Sequence, residues 1–445
     1  GFMNILPHTL ATTNDKLTSR AGLLTIAQVM QTLNLSKRID HHFPSPKSNR
    51  GFQPSSFIQT LILMQHEGSF HLDDVRHIHD DQALISVLNL KQIPSASTLG
   101  NWLRKMGNDQ RFFSAWHEVN KAILSSALHN RKGVTLDIDA SEIIANKTSA
   151  KWTYNKNKGY MPMIGHVAET GQIVSCDFRT GNASPASNNL EFIQQCEKYL
   201  PDDCYVQSLR IDCAGYQEKI IKYCDQNNIQ YAIRAKTNNT IKALLASLTE
   251  DDWQPLIDKK GQPVKNQQTY RTTQTICEYE KAFTLIVQRQ VIEGQAELDL
   301  THDDETGEQI NAQGYIYRAI ATNRDDLSND KIIHWYNQRA EDSENRIKEL
   351  KLDFGGDVLP CSDFNANALY FLITALSYNL FALMRHLLPE ELSHHRAMTI
   401  RWRLYAMAAK VVKTGRQIFI KLQKKHKILL EQVLIALKEF DPPPI

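Results

Sequence analysis

Two aspartates each close a short run of strand-forming residues. Asp139 ends Val134-Thr135-Leu136-Asp137-Ile138-Asp139, and Asp212 follows Tyr205 to Ile211. In open α/β sheets, ligands gather outside the carboxyl ends of the strands. A carboxylate in an apolar strand is rare unless it is paired or holds a metal. Asp137 lies on the same face as Asp139, two residues back, so either is a candidate. A third acid comes from the stretch Lys331 to Gly356. It has no Pro, is rich in Glu, Lys, Arg and Leu, and stops at Gly355-Gly356, which predicts one long helix. Along it Tyr336, Ala340, Glu344, Ile347 and Lys351 fall at steps of three and four and share a face. Three converging carboxylates are hard oxygen ligands, suited to Mg2+ or Mn2+ rather than zinc. Two such ions about 4 Å apart serve phosphodiester chemistry. Taken singly, each aspartate is also a strand-end cap, and the helix is also a solvated, salt-bridged one.

The elements that must position these acids follow from patterning. Residues 3–130 read as mostly helical, with Pro54 opening one helix and Ser95 capping another whose stripe is Leu99, Trp102, Leu103 and Met106. Short helices with polar turns suit DNA binding or dimerisation, and any other helical region equally. From Gly133 the texture changes. A first strand, a hairpin near Thr170-Gly171, and then strand and helix in alternation predict an α/β core with a mixed sheet, over 131–236 and 321–390. Between the two parts, 237–320 alternates like antiparallel strands, with turns around Gly261, Gly294 and Gly307. That is too long for a loop, so an inserted β-rich subdomain is expected. A buried helix over 364–388 and a basic helical region over 391–445 complete the chain.

The 445 residues carry a formal charge of only +2, but Arg396 to Lys427 holds ten Lys and Arg and no acid. Arg401, Arg403, Lys410, Lys413 and Arg416 in that block form an electrostatic footprint for nucleic acid. Lys151-Trp152-Thr153-Tyr154-Asn155-Lys156-Asn157-Lys158 interleaves cations with aromatics, a pattern that grips phosphates and stacks on a base. Seven cysteines without a CxxC pair suggest reduced thiols rather than a disulfide frame or zinc ribbon. The cluster His71, Asp73, Asp74, His77, His79, Asp80, Asp81 matches no structural metal spacing and reads as a solvated face. The N-terminus has no signal-peptide pattern, and Gly1-Phe2 ahead of Met3 read as an addition. Ala366 to Met384 is apolar but broken by Thr374, Ser377 and Asn379, as in a core helix rather than a membrane span.

The ordered set of motifs resembles the DDE transposases of bacterial insertion sequences, and within them insertion-sequence family 1380. LDIDAS is similar to that family's first-Asp strand, and RIDCAGYQEKIIKYCDQNNIQYAIRAK to its second-Asp unit. WYNQRAEDSENRIKELK resembles its helix with the Tyr-Arg-Glu-Lys signature. LPCSDFNANALYFLITALSYNL and RWRLYAMAAKVVKTGRQIFIKL match its C-terminal region, LDDVRHIHDDQALISVLNL and IPSASTLGNWLRK its N-terminal one. The resemblance covers nearly the whole chain. It implies an RNase H-like catalytic core with the inserted β-rich subdomain, flanked by helical N- and C-terminal regions. It implies that Asp139, Asp212 and Glu344 bind two Mg2+ ions, with Mn2+ able to substitute. Tyr336, Arg339, Lys348 and Lys351 would lie along DNA, Arg suiting a bidentate phosphate grip and Lys a point charge. The implied partners are double-stranded DNA (element ends and target) and a second copy of the chain on paired ends, in a bacterial cytoplasm at the nucleoid, with no membrane. The implied activity is end cleavage and strand transfer. The alternatives are a DNA-binding protein that has lost cleavage and an RNase H-like nuclease without strand transfer. One departure stands out. The signature has three residues between Arg and Glu, whereas four separate Arg339 from Glu344, so Ser343 occupies the expected position. A π-bulge would absorb the extra residue. Glu341 is the other candidate acid, and Glu344 is preferred because it shares the face of Tyr336 and Lys351.

Overall fold

The structure, a computed structural model, describes residues 4–48, 50–90, 92–291, 310–312, 314–438 and 442–445. The turns expected at Gly294 and Gly307 lie outside them. The chain divides into two compact units, one formed by the chain up to Val119 with Glu349–Ile445, the other by Asn120–Lys348.

In the first unit, β1 (Lys16–Thr18) precedes helices α1 (Leu24–Thr32), α2 (Leu35–His42), α3 (Pro54–Glu67) and α4 (Ala96–Gly107). Pro54 opens α3, where its missing N–H costs nothing, and Gly68 ends it at φ +99°. Ser95 caps α4 by accepting from the Thr98 N–H at 3.3 Å. Helix α5 (Arg111–Ala127) leaves this unit for the second.

The second unit is built on one large sheet. Its strands are β2 (Gly133–Ala140), β3 (Met163–Val167), β4 (Ile173–Asp177), β5 (Tyr205–Ile211), β6 (Gln230–Arg234), β7 (Gln254–Ile257), β8 (Pro263–Ile276), β9 (Tyr279–Val291) and β10 (Tyr315–Thr322). Their order is β7-β8-β9-β10-β6-β5-β2-β3-β4, and a short strand at Ile310–Ala312 also pairs with β10. Strands β2, β3 and β4 form an antiparallel meander, while β5 and β6 run parallel to β2. The crossover helices are α6 (Asn189–Tyr199) and α7 (Glu218–Gln226). With the end of α5 they bury Leu124, Phe192, Ile193, Ile220 and Ile221 in the main core of this unit. Helix α8 (Asn329–Lys348) has a separate cluster, in which Ile332, Ile333 and Tyr336 meet Ala232, Ile286 and Ile320.

The described strands of 237–320 join the core sheet: β10 pairs with both β6 and β9, and β8 and β7 extend the sheet beyond β9. The reason is in β10, whose Ile316, Ala319 and Ala321 are apolar and buried and need neighbours on both sides.

Back in the first unit, α9 (Phe364–Arg385) is, among the described residues, the helix long and apolar enough to cross a membrane, and its apolar window is wholly buried. The polar residues that break its run are satisfied inside. Gln65 donates to Thr374 Oγ1 at 2.8 Å and accepts from Ser377 Oγ at 2.5 Å. The expected basic helices are partly replaced. β11 (Ala409–Thr414) and β12 (Gln417–Leu422) form a hairpin, and among the described residues beyond it α10 (Lys424–Leu437) is the helix. Lys-Val-Val-Lys-Thr and Gln-Ile-Phe-Ile-Lys-Leu are rich in β-branched and aromatic residues, and Gly415 at φ +63° supplies the turn, so strand propensity outweighs charge.

Candidate active site

β2 and β5 are parallel neighbours, with Ile138 opposite Ile211. The next residues, Asp139 and Asp212, thus stand side by side where the two strands end. Asp212 caps the turn Cys213–Gly215 by accepting from the Ala214 N–H at 3.0 Å. Asp139 accepts from Arg339 Nη2 at 3.2 Å. Burial pushes the Asp139 carboxyl up to about 6. Arg339 pulls it down, and the like charge of Asp212 adds to the rise. A carboxylate whose charge the fold disfavours, set beside a second carboxylate, points to a functional site.

Asp137, the other candidate on β2, is engaged elsewhere. It is fully buried and takes two parallel hydrogen bonds from Arg210, at 2.7 and 2.8 Å. Arg210 also donates to the Trp335 carbonyl at 2.6 Å, and Arg339 donates to the Ile138 carbonyl at 3.0 Å. Two guanidinium groups thus peg α8 onto β2 and β5 and fix its rotation. Arg210 was not among the candidates, although its signal is plain: a cation between Leu209 and Ile211 in an apolar strand demands a buried partner.

With that rotation, the sheet-facing residues of α8 are Tyr336, Arg339 and Ser343, all buried. Glu341 and Glu344 are both exposed, so neither acid is turned inward in this structure. Ser343 occupies the inward position, with no hydrogen-bond partner for its Oγ among the described residues. The helix is α-helical from Arg339 to Glu344. Its π-turn lies downstream at Glu349–Asp353, not where the extra residue was expected to be absorbed. Near Arg339 and Arg346, His166 is fully buried with both ring nitrogens unpartnered; burial and the two cations lower its pKa to about 3, so it is neutral. Arg346 donates to the Ala168 carbonyl at 2.7 Å, holding the β3–β4 turn.

The structure places the other candidates as follows. Tyr336 is a core residue, with the Arg234 guanidinium 4.6 Å from its ring centre. Arg339 is buried and directed at Asp139 rather than at solvent. Lys348 is exposed and Lys351 half-buried. Arg401 is internal, donating to the carbonyls of His66 at 2.7 Å and Asp353 at 2.7 Å. Arg403, Lys413 and Arg416 are exposed, and Lys410 meets Asp15 at 3.1 Å. In the acidic-histidine cluster, Asp81 caps a short helix and accepts from Thr18 and Arg20. Among the described residues, no group of three or more His, Cys, Asp or Glu is gathered closely enough to hold a metal ion.

The aromatic-basic stretch is a finger of three short strands, Ile143–Ile144, Lys151–Trp152 and Lys158–Tyr160, rising three residues after β2. Lys151, Trp152 and Lys156 are exposed, Trp152 to 67%, and Lys158 is half-buried. Glu142 ties the finger loop down by accepting from Asn157 Nδ2 at 3.0 Å. At Gly159 an added Cβ would lie 1.8 Å from the Ile143 carbonyl oxygen. The Gly159→Val variant should therefore lose the finger while keeping the large sheet. Limited proteolysis should cut within residues 145–157 at least about tenfold faster than in the wild type.

A family model described as Transposase DDE domain group 1 matches residues 8–440. The chain belongs to this family of transposases. Among solved structures it is similar to the piggyBac transposase in a synaptic complex with hairpin DNA. The TM-score is 0.46 at 11% identity, over 96% of this chain and 83% of that one. No curated protein matches.

Proposed function

We propose that this transposase, of insertion-sequence family 1380, binds the terminal inverted repeats of its element, cleaves DNA at the ends and transfers the freed 3′-hydroxyls to target DNA. The observation that carries the reading is the placement of Asp139 and Asp212 side by side at the ends of parallel strands. Supporting it is the order of the core strands. A three-stranded meander with two further strands parallel to its first is the topology expected of an RNase H-like core.

Asp139 and Asp212 are hard oxygen donors; burial, and after it the like charge of Asp212, raises the Asp139 carboxyl, so a divalent cation such as Mg2+ fits between them. Glu344 is the proposed third ligand and reaches that role only if α8 turns from the rotation seen here. Bound Mg2+ would supply charge neutralisation for in-line phosphodiester chemistry. The residues of this chain do the rest. Arg339 balances Asp139 and keeps α8 against β2, and Arg210 fixes the helix by Trp335. Lys348 and Lys351 offer charge to the strand being cut. Trp152 and its neighbouring lysines would stack on and hold DNA beside the site. A homodimer on paired ends, in the cytoplasm at the nucleoid, belongs to the same proposal.

A second reading, a DNA-binding protein that has lost cleavage, is favoured by one observation: Ser343 stands inward where an acid is needed, and Glu344 is exposed. One assay separates the two. Labelled end DNA is incubated with Mg2+ and the wild type, or with Asp212→Ala, Glu344→Ala or Glu341→Ala. Cleavage by the wild type, lost in Asp212→Ala and Glu344→Ala but kept in Glu341→Ala, is expected. Cleavage that survives Glu344→Ala and not Glu341→Ala would move the third ligand to Glu341. Binding without cleavage by the wild type would establish the second reading, and cutting without joined products a plain nuclease.

A further inference from the structure

We infer that the β11–β12 hairpin and the start of α10 form a docking surface for the phosphate backbone of duplex DNA, separate from the strand-end aspartates. The inference rests on the reading above that the partner is DNA. It starts from how the cations between Arg396 and Lys427 are engaged. Arg396 pairs with Asp353 at 2.9 Å, Arg401 is spent on backbone carbonyls, and Lys427 pairs with Glu431 at 2.9 Å. Lys413, Arg416, Lys421, Lys424 and Lys425 are exposed and form no ion pair among the described residues. All five belong to the hairpin and the first turn of α10.

Their arrangement is unfavourable for the protein alone. The hairpin lies in a three-stranded sheet of order β12-β11-β1, leaving β12 at the edge. Ala409 and Val411 face inward. On the outer face Lys410 stands directly opposite Lys421, a like-charge pair that destabilises a sheet. Asp15 reaches Lys410 from the side. Val412 and the partly exposed Phe419 lie next along the same face, and Arg416 marks the tip. α10 then begins Lys424, Lys425, His426, Lys427 with no acid in its first turn. Cations at a helix N-terminus oppose the macrodipole, and an adjacent anion reverses the sign of that interaction. Like charges across a strand pair and against a helix end become favourable together when one polyanion lies along both.

Duplex DNA is the polyanion whose shape fits. Strands of six residues span about 20 Å, and a two-stranded ribbon enters a major groove about 12 Å wide. Lysines along the ribbon and at the helix start then meet phosphates on its walls. Such contacts hold a duplex in place without reading its sequence.

The test uses the full chain and a mixed-sequence duplex oligonucleotide, with affinity measured over a range of KCl concentrations. Each phosphate contact contributes about 0.9 to the slope of log K against log salt. The variant Lys413→Gln/Arg416→Gln/Lys421→Gln/Lys424→Gln/Lys425→Gln should lower that slope by about 3 to 5 and weaken binding at low salt at least about thirtyfold. Lys413→Arg/Arg416→Lys should keep both. An unchanged slope in the five-site variant, with an unchanged circular dichroism spectrum, overturns the surface. So does equal loss of binding to phosphatidylglycerol vesicles by a wild type that binds them more tightly than DNA. Cleavage of end DNA is scored separately. A wild type that shows the slope change but never cuts leaves this surface standing and removes the cleavage reading.

Discussion

Asp139→Asn should abolish end cleavage, by about a thousandfold or more, and at pH 8 should raise the melting temperature rather than lower it. On the proposed metal-dependent cleavage, the first effect follows from removing one of two adjacent donors from a site that would supply several kcal/mol of charge stabilisation, at about 1.4 kcal/mol per decade of rate. The second follows from the direction of the pKa shift. The folded protein holds the Asp139 carboxyl at about 6, above its ordinary 3.8. The protonated form is the one the fold favours, so its contribution to stability is full below about pH 4 and is lost as pH rises through 6. Above that, the charge is carried at a cost that asparagine does not incur. The stability difference between variant and wild type should therefore be positive at pH 8 and vanish near pH 4. Thermal unfolding at the two pH values measures it. A variant less stable than the wild type at pH 8 would mean that Asp139 is held for the fold and not for chemistry.

Arg210→Ala should be far more damaging to the fold. It strands the Asp137 carboxylate, fully buried, without its partner, and breaking one side of a buried ion pair costs about 3–5 kcal/mol. It also frees the Trp335 carbonyl and so unpegs α8. The double variant Asp137→Leu/Arg210→Met should regain most of the loss, because an apolar pair of similar volume replaces a desolvated one. About 1 kcal/mol should remain missing for the Trp335 hydrogen bond. Urea unfolding of the three proteins reads both numbers. A double variant as unstable as Arg210→Ala would show that the cost lies in the helix peg and not in the buried charge.

How much of this was legible beforehand depended on whether the determinant is local. Asp212 at the end of its strand, the helix capped by Ser95 and the turn at Gly171 follow from residues within a few positions of one another. The rotation of α8 does not. A single residue turns a helix by about 100°, and its phase is set by Arg339, which reaches Ile138 on β2, 201 residues away in the chain, and by Arg210 on β5, which reaches Trp335 on the helix, 125 residues away. The stripe of Tyr336, Glu344 and Lys351 is a correct helical stripe in the wrong phase: the sheet takes Tyr336, Arg339 and Ser343 instead. The hairpin at Ala409–Leu422 was legible in its valines, isoleucines and central Gly415, and was obscured by the run of cations set among them. The joining of 237–320 to the core sheet is long-range pairing between β10 and β6, which no window of sequence displays.

That joining limits how the protein can be taken apart. The N-terminal half of α8 rests on Leu256, Ile286 and Ile320, all from strands of the added segment. Asp330 and His334 on α8 hydrogen-bond the backbone of Ile257 at 2.8 and 2.9 Å. The added strands are the floor under the helix that carries Glu344, not an accessory fastened beside it. The segment is thus not a removable module. Excising it to obtain a minimal catalytic core would strip the helix of its bed, and swapping it between relatives would succeed only if the recipient's helix surface travelled with it.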